Sequence, residues 1–518
     1  MPQSTKILDT HDIPFSSTKQ GNKNALDVSI AGPLTGFGEM EVAESTPLAQ
    51  IDAVYGLRDG TDTQNIVGSG SGSATVTFST IGGQFVCATG TDTAGSAVIY
   101  SKRNVRYRPG EGIKFKGTAV FDTPKADSNQ RFGSYALGNE LAFGYKDTDF
   151  GIWHRTGGRP EIYYLSINTA TGNQTLTIEL DGTGYDVSVT GASRTTVAYE
   201  IAQAAATFTG WELDHVNQST TSRVIFASKT VGERIGAFSV TTTGGAATTS
   251  ASMIQDGAGA PNVDTFVTQG SWNIDTLESN TFGSFILDPS KGNVYQIGFK
   301  YLGYGSITYS VENPNTGLFT PVHQIQFPNQ DDQPSMDNPI MGVGWTAENT
   351  GNTTNITVKG ASAEGSVQGQ IVPFRNPRGE NNSATGVDTA INGILGIRVG
   401  SESEGRINLG EVFPYLVTSA VDGNKPALIG IYINPTVTGQ ENWVYVDHDI
   451  SIVEVNKTPV VLSGASAIVS AAVPKVGGAV VDLKALNVVL ARHDVLYVAC
   501  AASSGTTDVS VGITWLED

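Results

Sequence analysis

Apolar residues in this chain alternate with polar ones far more often than they recur at helical spacing. Tyr295, Ile297, Phe299 and Tyr301 are separated by Gln296, Gly298 and Lys300, and Ile307, Tyr309 and Val311 repeat the pattern. Period-two alternation places one set of side chains on one face of a strand. The same texture marks Ala74–Phe78, Ala97–Tyr100, Lys114–Phe121 and Ala142–Tyr145, then Pro321–Phe327, Met341–Trp345 and Thr354–Val358. Glu312-Asn313-Pro314-Asn315-Thr316-Gly317 has Pro and Gly where a β-turn uses them. Phe150–His154 and Glu161–Tyr164 flank Gly157-Gly158, which predicts a hairpin.

The pattern changes near residue 165. Leu176, Ile178 and Leu180 lead into Asp181-Gly182-Thr183-Gly184, and Tyr185, Val187 and Val189 lead away, predicting a hairpin. Val197, Ile201, Ala205 and Phe208 fall on one face of a helix running from Thr195 or Thr196 to about Phe208, with Ser193 or Thr195 as cap. Strands follow at Trp211–Val216, Arg223–Ala227 and Ala237–Thr241, and Asp256–Asn262 reads as a link. Polar Asn376–Ser383 reads as a second boundary. Beyond it Ile394–Val399, Ala427–Ile433, Trp443–Val446, Ile450–Val455, Val480–Leu490, Val495–Ala499 and Val509–Leu516 are strand-like.

The predicted class is therefore mainly β: β-sandwich or jelly-roll domains with one inserted small α+β domain. The expected units are an extended assembly segment over 1–70 and a sandwich split between 71–164 and 271–375. The α+β insert occupies 165–270, and a C-terminal sandwich occupies 376–518.

The length of 518 residues fits about three domains. Thirty-one Lys and Arg against 50 Asp and Glu give a net charge of −19, which repels phosphate and argues against nucleic acid and anionic membranes. Only 16% of residues are charged, so disorder through charge repulsion is not expected. No apolar run approaches the ~18 residues of a membrane-spanning helix. Met1–Lys6 lacks the apolar core of a secretory signal, so synthesis in a reducing cytoplasm is expected. Cys87 and Cys500 form no spaced motif and read as buried free thiols, with a bridge between them as the alternative.

No phosphate loop, nucleophile elbow or zinc signature occurs, and the six histidines fall in separate segments. Glu212-Leu213-Asp214-His215-Val216-Asn217 resembles the E-x-D-x-x-E strand of laminarinase-type glycosidases, but Asn217 replaces the last carboxylate, and retaining chemistry needs a pair. In Asp447-His448-Asp449, strand geometry sends His448 to the opposite face from its neighbours. The acidic loop Asp331, Asp332 and Asp337 is the candidate calcium site, since hard cations collect oxygens from irregular loops. No other cofactor is expected. Tyr304, which breaks the alternation at a turn, and Trp345 are the candidate carbohydrate or receptor contacts. An exposed ring beside Asn and Asp suits sugar stacking.

Phe37–Glu44 with Thr46–Ile51, Ser101-Lys102-Arg103 with Tyr107–Gly110, and Phe143–Tyr145 through Phe150–Arg155 resemble β-rich virion structural proteins of tailed phages and large DNA viruses. Gly303-Tyr304-Gly305, Glu312-Asn313-Pro314, Val322-His323 and Asn338-Pro339 share the likeness. The resemblance implies a non-enzymatic fibre, spike or capsid-associated protein, made in the host cytoplasm and carried on the virion surface. Expected partners are its own copies in a homo-oligomer, most simply a trimer, other virion proteins and a host-surface glycan. The alternative of another class is a polysaccharide hydrolase or lyase on a sandwich.

Overall fold

The computed structural model describes residues 17–20, 23–26, 45–54, 56–58, 63–67, 73–136, 138–170, 172–218, 220–244, 247–255, 263–279, 285–330, 332–336, 338–368, 376–403, 406–447 and 450–517. The chain is mainly β, with one α-helix among the described residues.

Two sheets form the first sandwich. One runs Val263–Thr268, Asp149–Thr156, Asn139–Lys146, Ser128–Ala136, Gly342–Asn349, Ser96–Ser101, Thr63–Val67. The other runs Phe319–Ile325, Ile307–Glu312, Asn293–Phe299, Gly112–Phe121, Thr357–Gly360, Gln84–Ala88, Thr75–Ser79, with Ser362–Gln368 and Ser45–Asp52 attached to it. Alternation gives each sheet an apolar inner face. Phe143 of the first sheet meets Tyr295 and Tyr309 of the second at ring-centroid distances of 4.8 and 5.4 Å. Residues 45–52 and 63–67, expected in an extended assembly segment, are strands of this sandwich, held by ladders to Ser362–Gln368 and Ser96–Ser101.

The hairpin expected at Gly157-Gly158 does not form. Asp149–Thr156 pairs with Val263–Thr268, whereas Pro160–Thr169 pairs with Ser222–Val231 and Thr248–Gln255 in another sheet. Gly157, at φ +86°, turns a corner out of the sandwich instead of closing a ladder.

Beyond that corner, Gln174–Leu180 and Thr183–Val189 pair across Asp181 and Gly182. These two residues have φ of +53° and +74°, the two left-handed positions of a type I′ turn. The helix spans Arg194–Gln203, capped by the Ser193 side chain, which accepts from the Thr196 N–H at 3.2 Å. It stops earlier than its apolar spacing predicts, passing into a 3₁₀ turn at Ala205–Thr207. Val197, Ala198 and Ile201 pack into a core with Leu165, Val224 and Phe226.

The sheet of this inserted region continues into the C-terminal one. Asn217 on Trp211–Asn217 bridges Val444 in parallel. The sheet then proceeds through Trp443–Tyr445, Val453–Asn456, Asn392–Val399, Val495–Ala502, Ala427–Ile433 and Val469–Val473. A four-stranded sheet, ordered Asn376–Val387, Thr507–Glu517, Val412–Val421, Gly477–Asp482, covers the latter part. Ile397, Leu496 and Val498 share a core there with Val417, Val511 and Trp515. Polar Asn376–Ser383, expected as a boundary, begins an edge strand of that sheet. Backbone pairing suffices there because an edge strand can present polar side chains and a proline to water. Lys102 of the first sandwich meets Asp494 of the last at 2.5 Å. Among the described residues no helix is long and apolar enough to cross a membrane.

Candidate functional site: an uncharged groove at a sandwich edge

Val263–Thr268 and Phe319–Ile325 are the end strands of the two sheets of the first sandwich. Between them opens a groove of about 680 Å³, whose lining includes His154, Thr156, Gln326 and Ser335. Thr265, Asn273, His323, Gln324, Gln330 and Gln333 supply the other polar groups, with Phe327 and Pro334 as apolar surface.

Internal hydrogen bonds shape this lining. The Asn273 side chain donates to the Gln324 carbonyl at 2.8 Å and accepts from the Gln324 N–H at 2.9 Å. The Gln326 amide donates to the Gln324 side-chain oxygen at 3.0 Å. His154 Nε2 lies 2.9 Å from the Ser335 carbonyl, which can only accept, so Nε2 carries the hydrogen. His323 Nδ1 accepts the Asn273 N–H at 3.2 Å, which places its hydrogen on Nε2. Burial lowers the pKa of both histidines below the ordinary imidazole value, so they are neutral at pH 7. The described lining therefore carries no formal charge.

Tyr304 is 39% exposed and does not line the groove. Its hydroxyl donates to the Asp332 carbonyl at 3.0 Å, and the Ser335 N–H donates to the Gly303 carbonyl at 2.7 Å. The Tyr304 turn thus buttresses the loop that presents Gln330 and Gln333. Trp345 does not serve as a surface contact. It is 1% exposed, packs on Phe85 and Phe132, and donates its indole N–H to the Thr118 carbonyl at 2.9 Å. The strand alternation that made it conspicuous turns it into the core.

Of the calcium candidates, Asp331 and Asp337 lie outside the described residues, and Asp332 contributes its carbonyl to Tyr304. Among the described residues no three His, Cys, Asp or Glu side chains are grouped to hold a metal. His448 and Asp449 also lie outside the described residues, while the Asp447 carbonyl accepts from the Ser451 N–H at 2.9 Å. Cys87 and Cys500 are both free and buried, and burial pushes their thiols up to about 12 and about 11.

Glu212 and Asp214 do share a face of their strand. They point into a second cavity, of about 190 Å³, at the junction of the inserted region with the C-terminal sandwich. Cations occupy both. Glu212 accepts from Arg492 at 2.7 Å and lies 2.8 Å from His493 Nε2. Burial opposes its ionisation, but these partners outweigh burial and hold the carboxyl at about 2. Arg398 meets Asp214 at 2.7 Å and Glu454 at 2.6 Å, donates to the His215 carbonyl at 2.8 Å, and lies 4.5 Å over the Trp443 ring. Burial, with Asp214 and Glu402 nearby, pushes the Glu454 carboxyl up to about 7 despite Arg398. Asn217, at the position where the glycosidase pattern has its last carboxylate, donates to the Asn442 side chain at 2.6 Å. A carboxyl held at about 2 is no proton donor near neutral pH, so this strand face works as a clamp between two regions.

The residues that build the groove were missed as a site. The signal available was Gln324, Gln326, Gln330 and Gln333 within one short stretch, beside His323.

No protein-family profile matches the chain, and no curated protein matches it in sequence. Among solved structures, the carbohydrate recognition domain of Emp47p aligns at 10% identity over 63% of this chain and 98% of its own, with a TM-score of 0.24. Lectin II from Ulex europaeus aligns at 10% identity over 62% of this chain and 100% of its own, with a TM-score of 0.22. Infectious bursal disease virus, Gx strain, aligns at 9% identity over 80% and 84%, with a TM-score of 0.11. At these scores the likenesses bear on neither function nor ancestry.

Proposed function

We propose that this chain is a non-enzymatic structural protein of a virus particle, a fibre- or spike-like surface component that contributes to host attachment. The observation that carries the recognition part is the uncharged, amide-lined groove at the open edge of the first sandwich. Such concave sites with a few placed polar groups are where small ligands bind. The virion part draws on the sequence segments that resemble β-rich virion proteins, most of which lie in that same sandwich. Attachment by such a protein adds weak sites through effective concentration on a symmetric oligomer, here a homotrimer.

Quantitative mass spectrometry of gradient-purified particles tests this reading. The chain is expected at a copy number that is a multiple of a symmetry number. Few copies per particle fit a fibre or spike, and many fit the capsid-associated alternative. Absence from particles overturns the reading. A polysaccharide hydrolase or lyase would then be the next reading, tested directly by polysaccharide cleavage.

A further inference from the structure

We propose that the groove binds a neutral, hydroxyl-rich saccharide and discriminates against sialylated or sulfated ones, with Gln330 and Gln333 as specificity-determining residues. This rests on the attachment reading and narrows its ligand class.

Charge supplies the first argument. An anionic sugar brought into a partly desolvated groove needs a cation to replace its lost hydration. The described lining offers none, because His154 and His323 are neutral and no Lys or Arg contributes. A net charge of −19 adds long-range repulsion of anions.

Hydrogen-bonding capacity supplies the second. A sugar hydroxyl both donates and accepts, and a glutamine amide offers one accepting oxygen and two donor hydrogens. Gln324 and Gln326 spend part of that capacity on each other. Gln330 and Gln333 are exposed in the lining, and among the described residues neither side-chain amide has a partner. His323 is 7% exposed and lines the groove, and its Nε2–H has no partner among the described residues. These groups are held in place without a ligand. The Gln330 N–H donates to the Phe327 carbonyl at 3.1 Å, and Tyr304 and Gly303 fix the far side of the loop. A volume of about 680 Å³ lies inside the about 300–1,000 Å³ range of small-ligand sites, enough for a short oligosaccharide.

The full chain, displayed at high density, is tested against oligosaccharides ending in glucose, galactose, mannose or N-acetylglucosamine, alongside sialylated and sulfated versions of the same cores. At least one neutral probe is expected to bind, and its anionic counterpart to bind at least about tenfold more weakly. Gln330→Ala with Gln333→Ala should weaken the neutral probe by about tenfold with an unchanged melting temperature, as expected for loss of two modest hydrogen bonds. Gln333→Lys should restore binding of the sulfated counterpart. Preference for the anionic probes, binding that survives the double substitution, or no binding to any neutral probe each overturns the proposal. Failure here with the chain present in particles leaves the attachment reading standing. Neutral-sugar binding with the chain absent from particles does the reverse.

Discussion

The groove of the first sandwich and the cavity beneath the inserted region are both rich in polar groups, yet they are built on opposite principles. In the cavity the carboxylates face cations: Glu212 with Arg492, Asp214 and Glu454 with Arg398. Among the described residues that line the groove none is charged, and the Gln330 and Gln333 side-chain amides have no partner. Complementary charges consume one another and hold two layers in register. Neutral amides satisfied only in part stay available to something else. Polarity alone therefore does not distinguish the two; the hydrogen-bonding capacity left unspent does.

The sharpest break of this contrast is Arg398→Met. It leaves buried Glu454 and part-buried Asp214 without compensation, and denaturant unfolding should show a loss of about 3 kcal/mol. The pH dependence of stability comes next. Folding raises the Glu454 carboxyl from 4.5 to about 7, so the native chain holds a proton over that interval that the unfolded chain has released. Its contribution is intact below about 4.5 and is lost as pH rises through about 7. Glu212 acts in the opposite sense: its contribution is present above 4.5 and lost as pH falls towards about 2. Thermal melts of wild type and Glu454→Gln across about pH 5 to 8 should differ in slope, with the variant flatter. A smaller effect is expected for Glu212→Gln, about 1–2 kcal/mol from losing the charge on two hydrogen bonds at a partly exposed site, read by the same unfolding measurement. Smallest of all, Gln330→Ala with Gln333→Ala should change stability by no more than about 0.5 kcal/mol. A large loss there would make the groove part of the structural frame and erase the contrast.

Much of the fold is legible in the chain because burial and alternation coincide. Tyr295, Ile297 and Phe299 are buried as their spacing requires, and the Asp181-Gly182 hairpin follows from turn chemistry alone. Elements held by backbone pairing were less legible. Asn376–Val387 has no apolar rhythm at its start and becomes a strand because Thr507–Glu517 offers it a ladder. Ser45–Asp52 depends in the same way on Ser362–Gln368, more than three hundred residues away. The site was less legible still. Glu212 and Asp214 drew notice because carboxylates at that spacing can do chemistry, and only the fold supplies Arg398 and Arg492 to neutralise them. The groove joins strands around His154 and Thr265 to a loop around Gln330, and no local pattern announces that they meet.

Thr507–Glu517 is an interior strand of its sheet, flanked by Asn376–Val387 on one side and Val412–Val421 on the other. That placement sets a clock on synthesis. Until the ribosome has released Glu517, both flanking strands expose unpaired edges and the apolar faces of Val417 and Val421. The first sandwich, whose strands are all made by Gln368, can close long before. The C-terminal region must wait, with exposed edges that invite pairing with neighbouring nascent chains of the same kind. The order in which strands emerge thus helps decide whether neighbouring copies fold separately or tangle.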